Sequence, residues 1–264
     1  MRYAQLHSHL EGSLKLDFIE CSWENRVEVY NWFGSKKRTV EDLLACLNQY
    51  GDRTDFFSEI RVDYQGNLTD YSFSKELLKE FRRLPSIYSL RRQNCPLEDT
   101  STIIQLFNDG LICGVDFTGR EYGNPPSKFY KVMGKLEYEN IPYTYHLGEQ
   151  SGDEELIQLL KFNPRRIGHG LSISEKNIGL ILEKGIHIEV CLTSNIYTKR
   201  ASLHNHPVLL LYERGCSFSL NEDDSVFFNT NIVNEYAILK SILPEADLDK
   251  VYEDTFKASF SSLS

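Results

Sequence analysis

Arg2–Leu14 reads RYAQLHSHLEGSL, and its alternation around His7 and His9 marks a short strand with both imidazoles on one face, because side chains at i and i+2 of a strand leave the same way. Two imidazoles supply half of what a zinc ion takes from a protein, so this strand end predicts further His, Asp or Glu ligands at the ends of other strands. An isolated HxH pair is more commonly a polar strand end, so the rest of the chain has to decide between the two readings.

Working outward, strand-like runs recur: Asp55–Tyr64 (DFFSEIRVDY), Ser86–Arg92 (SIYSLRR), Leu111–Gly119 (LICGVDFTG), Pro142–Glu149 (PYTYHLGE), Arg165–Gly170 (RRIGHG), His187–Asn195 (HIEVCLTSN) and Cys216–Asp224 (CSFSLNEDD). Helical periodicity falls between them. It is clear in Thr39–Gln49, where Val40, Leu43, Leu44 and Leu47 form one stripe, and it continues in Lys75–Leu84, Leu97–Asp109 with Asp99 or Thr100 as N-cap, Ser127–Asn140, Asp153–Lys161, Ser174–Lys184 and Pro207–Arg214. Helices around Asn229–Ile242 and Ala246–Ser259 finish the chain. Eight strands alternating with helices in 264 residues predict a closed (β/α)8 barrel, one domain over residues 1–264. An open doubly wound sheet gives a similar alternation, but it usually carries a Gly-rich phosphate loop after its first strand, and GxGxxG is absent.

Composition narrows the function. A net charge of −9, with Lys and Arg scattered apart from pairs such as Arg82–Arg83 and Arg91–Arg92, argues against nucleic acid as a main partner. Six widely spaced cysteines (Cys21, Cys46, Cys95, Cys113, Cys191, Cys216) without CxxC read as buried free thiols of a reducing compartment. The N-terminus shows no signal-peptide apolar region, and no apolar run approaches the ~20 residues of a membrane span, so a soluble cytoplasmic protein is expected.

The polar residues are sorted. His7 and His9 end strand one, His146 and Glu149 strand five, His169 strand six, and Asp223 and Asp224 strand eight. In a barrel those ends converge on the face where such folds keep their chemistry. Three imidazoles and a carboxylate suit one divalent metal with room for a water: Zn²⁺, or Fe²⁺ or another first-row ion.

The motifs LHSHLEGSL, GVDFTGRE followed by GNPPSKF, HLGE, RIGHG, CLTSN and SLNEDD, in this order over nearly the whole chain, resemble those of the adenosine deaminase family of metal-dependent amidohydrolase barrels. The resemblance implies that His7, His9, His146 and Asp223 hold the metal, that Glu149 donates a proton to purine N1, and that His169 and Asp224 flank the attacking water. It places a backbone contact to the purine ring at Gly119 and an acid near the sugar at Glu11, where the family often has Asp. A small-molecule purine is the implied substrate, and adenosine to inosine the implied reaction. Glu11 tilts toward adenine-specific relatives, so adenine or an N6-modified adenine nucleotide is the alternative substrate.

The chemistry calls for these residue types. Zinc lowers the pKa of its water from 15.7 to about 7. Attack at C6 also needs a proton at N1, which a carboxylic acid kept neutral in a desolvated pocket can deliver. Adjacent Asp223 and Asp224 point to opposite faces of a regular strand, so both serve one site only where the strand is ending.

The chain departs from the pattern in three places. It is shorter by several tens of residues between His9 and Asp116, which should trim the segments over the barrel mouth after strands one and two, and such a loss opens the reading of a non-catalytic purine-binding descendant. Arg120 and Glu222 are unusual neighbours within their motifs. The other histidines read as structural: His187 starts a strand away from the mouth, and His204 and His206 sit in a polar loop before Pro207, expected to be solvated.

Overall fold

Fully buried parallel strands need apolar side chains toward their covering helices and a compatible set toward the centre, and this chain meets that need by strict alternation. The computed structural model describes residues 2–13, 57–63, 79, 84–95, 100–198 and 200–261. The helix expected at Thr39–Gln49 and nearly all of Lys75–Leu84 lie outside the described residues, as do the segments in which the shortening was expected.

The strands are β1 (Ala4–Gln5), β2 (Phe57–Ser58), β3 (Ile60–Asp63), β4 (Ser86–Arg91), β5 (Gly114–Thr118), β6 (Tyr143–Leu147), β7 (Arg166–His169), β8 (His187–Val190) and β9 (Phe218–Leu220). All pairings are parallel, with β3 to β9 in sequence order and β1 against β2. Glu59 joins β2 and β3 into one barrel strand, and its N–H donates to Gln5 O at 3.2 Å. The cylinder closes where the extension of β1 meets the end of β9: Asp223 N–H donates to His7 O and His9 N–H to Asp223 O, each at 3.0 Å. On its other side Leu10 N–H donates to Arg61 O at 3.0 Å. These are eight parallel strands closed in chain order, the (β/α)8 architecture.

The helices are α1 (Ser101–Asn108), α2 (Tyr130–Tyr138), α3 (Asp153–Leu159), α4 (Ile178–Lys184), α5 (Leu192–Tyr197), α6 (Val208–Glu213), α7 (Ile232–Ile242) and α8 (Leu248–Ala258). Their boundaries follow local chemistry. Asn231 and Asp247 cap α7 and α8 by accepting from Asn234 N and Lys250 N, each at 3.0 Å, and Gly185 ends α4 in the left-handed region at φ 62°. Thr100 occupies the position before α1 but its side chain caps nothing. One expected strand is shorter than its apolar run: β8 stops at Val190, and Leu192–Asn195 opens α5. That turn brings Ser194 and Asn195 over the strand ends.

Ile60, Val62, Val115, Phe117, Tyr143, Tyr145, Ile167, Ile188, Val190 and Leu220 are buried in one apolar core with Leu106, Met133, Leu136, Leu156, Ile181, Leu211 and Leu239 of the helices. Each such side chain contributes about 1.5–3 kcal/mol. The intervening strand residues meet one another across the barrel axis and are polar: Glu59, Arg61, Asp116, Thr144, His146, Arg166 and Glu189 are buried at 3% exposure or less. A barrel interior is more often filled by branched aliphatics. Here it is a charged layer, and the site stands on it.

Candidate functional site

Five charged groups lie directly beneath the histidines. Arg61 Nη2 donates to Glu189 Oε2 at 2.5 Å, its Nη1 donates to Leu6 O at 2.9 Å, and its Nε lies 3.0 Å from Asp116 Oδ2. Arg166 joins Glu189 Oε1 at 2.8 Å to Glu59 Oε2 at 2.6 Å. Burial opposes ionisation of both Glu189 and Asp116, but Arg61 with Arg166 for the first, and His146 with Arg61 for the second, hold these carboxyls below the usual carboxylate range. Two guanidinium groups therefore face three carboxylates.

Two of those carboxylates reach up to imidazoles. Glu189 Oε2 accepts from His7 Nδ1 at 3.0 Å, and Asp116 Oδ1 accepts from His146 Nδ1 at 2.9 Å. An Nδ1–H donated to a carboxylate leaves the Nε2 lone pair free and fixes the ring's aim, the usual support of a metal-binding histidine. Both Nε2 atoms point to the same place. His9 Nε2 is 3.2 Å from His146 Nε2 and 3.5 Å from Asp223 Oδ1, and His7 Nε2 is 3.4 Å from that same oxygen. Four donors at 2.0–2.2 Å from a tetrahedral zinc stand roughly 3.3–3.6 Å apart, and these three separations match such edges. The ligand atoms gather as two trios that share His7, namely His7, His9 and His146, and His7, His169 and Asp223.

Burial drives the His9 imidazole well below its ordinary pKa and keeps it neutral, while contacts with His7, His169 and His9 overcome burial to hold Asp223 ionised. His7 runs the other way: against burial and Arg61, the carboxylates of Asp223 and Glu189 raise its pKa, so this ring has a proton to give up when a cation binds. His7 Nε2 is buried and makes no hydrogen bond, an orphan that a metal would satisfy. The donor set fits a divalent ion. Space is arranged for it as well: a Cβ on Gly168 would lie 3.1 Å from His7 Cε1, so any side chain there would press that ring back by a few tenths of an ångström.

His169 and Asp223 both have left-handed backbones, at φ 59° and 60°. This conformation is uncommon outside glycine and clusters at functional sites. It ends each strand abruptly and turns the side chain over the mouth. Ser194 Oγ of α5 donates to Asp223 Oδ2 at 2.6 Å, and His169 Nε2 lies 3.6 Å from Glu149 Oε2. Glu149 follows the αL residue Gly148, and its backbone is held by a buried carboxylate: Glu121 accepts from the N–H of Glu149 at 3.3 Å and of Gln150 at 2.7 Å. Arg92 lies 3.6 Å from Glu121 and donates to Gly119 O at 2.8 Å.

Glu149 is less desolvated than a buried acid would be, since its side chain is 27% exposed. Asp224 packs so tightly on the turn Glu11–Ser13 that a Cβ on Gly12 would fall 1.7 Å from Asp224 Oδ1. Gly119, at φ 85°, offers its backbone beside Gln93. The Glu11 side chain lies outside the described residues. Of the unusual neighbours, Arg120 is exposed, and Glu222 accepts from Ile232 N at 2.9 Å, at the start of α7.

His206 departs from its expected solvation. It is 1% exposed, with Nε2 3.1 Å from Asn195 Oδ1, and burial followed by the nearby His169 lowers its pKa to about 4. His187, read as structural, is buried with its Nδ1 2.7 Å from Ser217 Oγ, and His204 is exposed. Arg61, Asp116 and Glu189 are functional supports outside the predicted site residues. Their signal was a charge set between β-branched or aromatic residues of a buried strand.

The sequence model of the family described as Adenosine deaminase matches residues 79–263. The chain belongs to the adenosine deaminase family. Among curated members it is similar to adenosine deaminase of Streptococcus mutans, 31% identical over 154 residues that cover 56% of this chain and 44% of that protein. It is 27% identical to adenosine deaminase of Lactococcus lactis over 313 aligned positions, covering 98% of this chain and 89% of the relative. That span exceeds the 264 residues of this family member, so it omits segments its relative carries. The apo N6-methyl-AMP deaminase of Arabidopsis thaliana shares the fold with a TM-score of 0.83 at 19% identity, covering 98% of this chain and 92% of that one.

Proposed function

We propose that the protein hydrolyses the exocyclic amine of a 6-aminopurine, with adenosine to inosine and ammonia as its reaction. The convergence of His7, His9, His146 and Asp223 on one point, with two of the rings braced by buried carboxylates, carries this reading. These four residues hold one divalent ion, zinc by its donor set, which when bound supplies a water of lowered pKa.

The chain's own groups do the rest. Asp224 and His169 flank the attacking oxygen and orient it toward C6. Glu149 delivers a proton to N1, which makes C6 the better electrophile, and the amine then leaves as ammonia. Gly119 lets the backbone approach the ring edge, and Glu11, in the turn beside Asp224, is the acid assigned to the sugar or its place.

Family membership and the ordered motif series support the reaction class. Glu11 is the one feature that favours adenine or an N6-substituted adenine nucleotide. Zinc-loaded protein offered adenosine, adenine and N6-methyl-AMP, followed by ultraviolet absorbance, is expected to convert one of them and to lose that activity in Glu149→Gln. No conversion of any of the three refutes the proposal. Metal analysis of the purified protein is expected to give one equivalent per chain.

A further inference from the structure

The hydrogen-bond chain behind His169 has a direction that the heavy atoms fix. It starts from a donor whose role is unambiguous: the backbone N–H of Val208, the first residue of α6, donates to His206 Nδ1 at 3.1 Å. A neutral imidazole that accepts at Nδ1 carries its proton on Nε2. That N–H meets Asn195 Oδ1 at 3.1 Å. With its oxygen so engaged, Asn195 presents its amide nitrogen to His169, and Nδ2 donates to Nδ1 at 3.0 Å. Turning the amide over would set its NH2 against the His206 N–H and its oxygen against His169, losing the first bond, so the orientation is not free.

We propose that Asn195 and His206 are positioning residues that lock His169 as the tautomer with its proton on Nε2, the nitrogen that faces the site. All four members, Val208, His206, Asn195 and His169, are at 1% exposure or less, so no solvent competes to invert the chain. In this tautomer His169 Nδ1 has spent its lone pair on Asn195, and Nε2–H points toward Glu149 Oε2 at 3.6 Å. His169 then acts as a hydrogen-bond donor to the attacking oxygen. It does not take that oxygen's proton at Nε2, and proton acceptance falls to a carboxylate. The catalytic consequence rests on the deaminase reading, whereas the tautomer itself does not.

The test separates the two. Metal-free protein labelled with 15N-histidine reports by long-range 1H–15N correlation which ring nitrogen of His169 and of His206 is protonated. Nε2–H is expected for both. Asn195→Asp offers only acceptors, so it is expected to move the His169 proton to Nδ1 while His206 keeps Nε2–H. In the zinc-loaded enzyme that variant is expected to lose about 100-fold in kcat, as for removal of one oriented donor, with KM within about threefold. His206→Gln, whose amide can still donate to Asn195, is expected to keep the wild-type tautomer, and His206→Phe to give a mixture. The two His206 variants carry the test if Asn195→Asp does not fold. Nδ1–H at His169 in the wild type, or an unchanged tautomer in both Asn195→Asp and His206→Phe, overturns the proposal. Predicted tautomers in a protein inactive on every purine uphold it and refute the deaminase reading instead.

Discussion

Replacing Glu189 by Gln tests the charged layer under the site. Oε2 of Glu189 accepts from three donors, His7 Nδ1 at 3.0 Å, Arg61 Nη2 at 2.5 Å and Thr144 Oγ1 at 3.1 Å, while Oε1 pairs with Arg166 at 2.8 Å. A glutamine has one oxygen for these two roles. Its better orientation keeps that oxygen under His7, Arg61 and Thr144, and turns its NH2 against the Arg166 guanidinium. Breaking a buried ion pair by removing one partner costs about 3–5 kcal/mol, and because Arg166 retains Glu59 at 2.6 Å the lower end applies. A loss of about 3 kcal/mol is a large share of the 5–15 kcal/mol that holds a typical domain together. Equilibrium urea unfolding of the metal-free protein measures it, with exposed Glu183→Gln as the control, expected within about 0.5 kcal/mol of wild type. His7 also exchanges an ionised acceptor for a neutral one, so affinity for zinc is expected to fall about 10–100-fold in a chelator competition. A variant that unfolds within about 1 kcal/mol of wild type and binds zinc as tightly would show that the layer does not support the histidines.

Three further outcomes are expected. Gly168→Ala should push His7 away from the shared point, since the added carbon falls 3.1 Å from its Cε1, and weaken zinc binding by about tenfold or more while the circular dichroism spectrum stays that of the wild type. Zinc at a free concentration about 100 times its Kd should stabilise the protein by about 2.7 kcal/mol, seen as a rise in Tm that chelator reverses and His7→Ala abolishes. His187 gives a pH signature, because burial and then the Arg166 charge lower its pKa to about 3 against 6.5 when unfolded. The unfolded chain therefore takes up a proton that the folded one refuses, and stability falls as pH drops from about 6.5 toward 3, at about 1.4 kcal/mol per unit from this residue. Urea unfolding of His187→Asn should show that much less slope between about pH 4 and 6, and an unchanged slope would refute the assignment.

The barrel and the residues gathered at its mouth were legible because each motif ends a strand, and strand ends are where alternation gives way to His, Asp, Glu and Gly. The layer below was not read, although EIRVDY, GVDFTG and HIEVCL each set a charge between apolar neighbours. In a strand covered on both faces such a charge must meet a partner on the barrel axis, so Arg61, Asp116 and Glu189 were visible as a set and invisible singly. CLTSN continues an apolar run, so the sequence alone extends β8 past its end at Val190. What stops the strand there is tertiary: Ser194 and Asn195 turn inward to Asp223 and His169. The polar NHP around His206 points to a solvated loop, and the burial of that ring depends instead on α5, whose Asn195 meets it.

The adjacent pair Asp223–Asp224 shows how strained backbone and chemistry meet. A regular strand would send one carboxylate to the barrel axis and the other to the helices. At φ 60° Asp223 leaves the strand, yet its own N–H and C=O still bond His7 O and His9 N–H, so the pairing that closes the barrel passes through the strained residue. A non-glycine residue in this region costs of order 1–3 kcal/mol. Those two backbone bonds and the Ser194 hydroxyl hold it there. The kink leaves Asp223 beside His7 and His9 and sets Asp224 on Gly12, in the turn that follows the same histidine strand. The seam that joins the first strand to the last is thus also the place where the Asp223 and Asp224 carboxylates are aimed, and the barrel cannot close in another register without dismantling that arrangement.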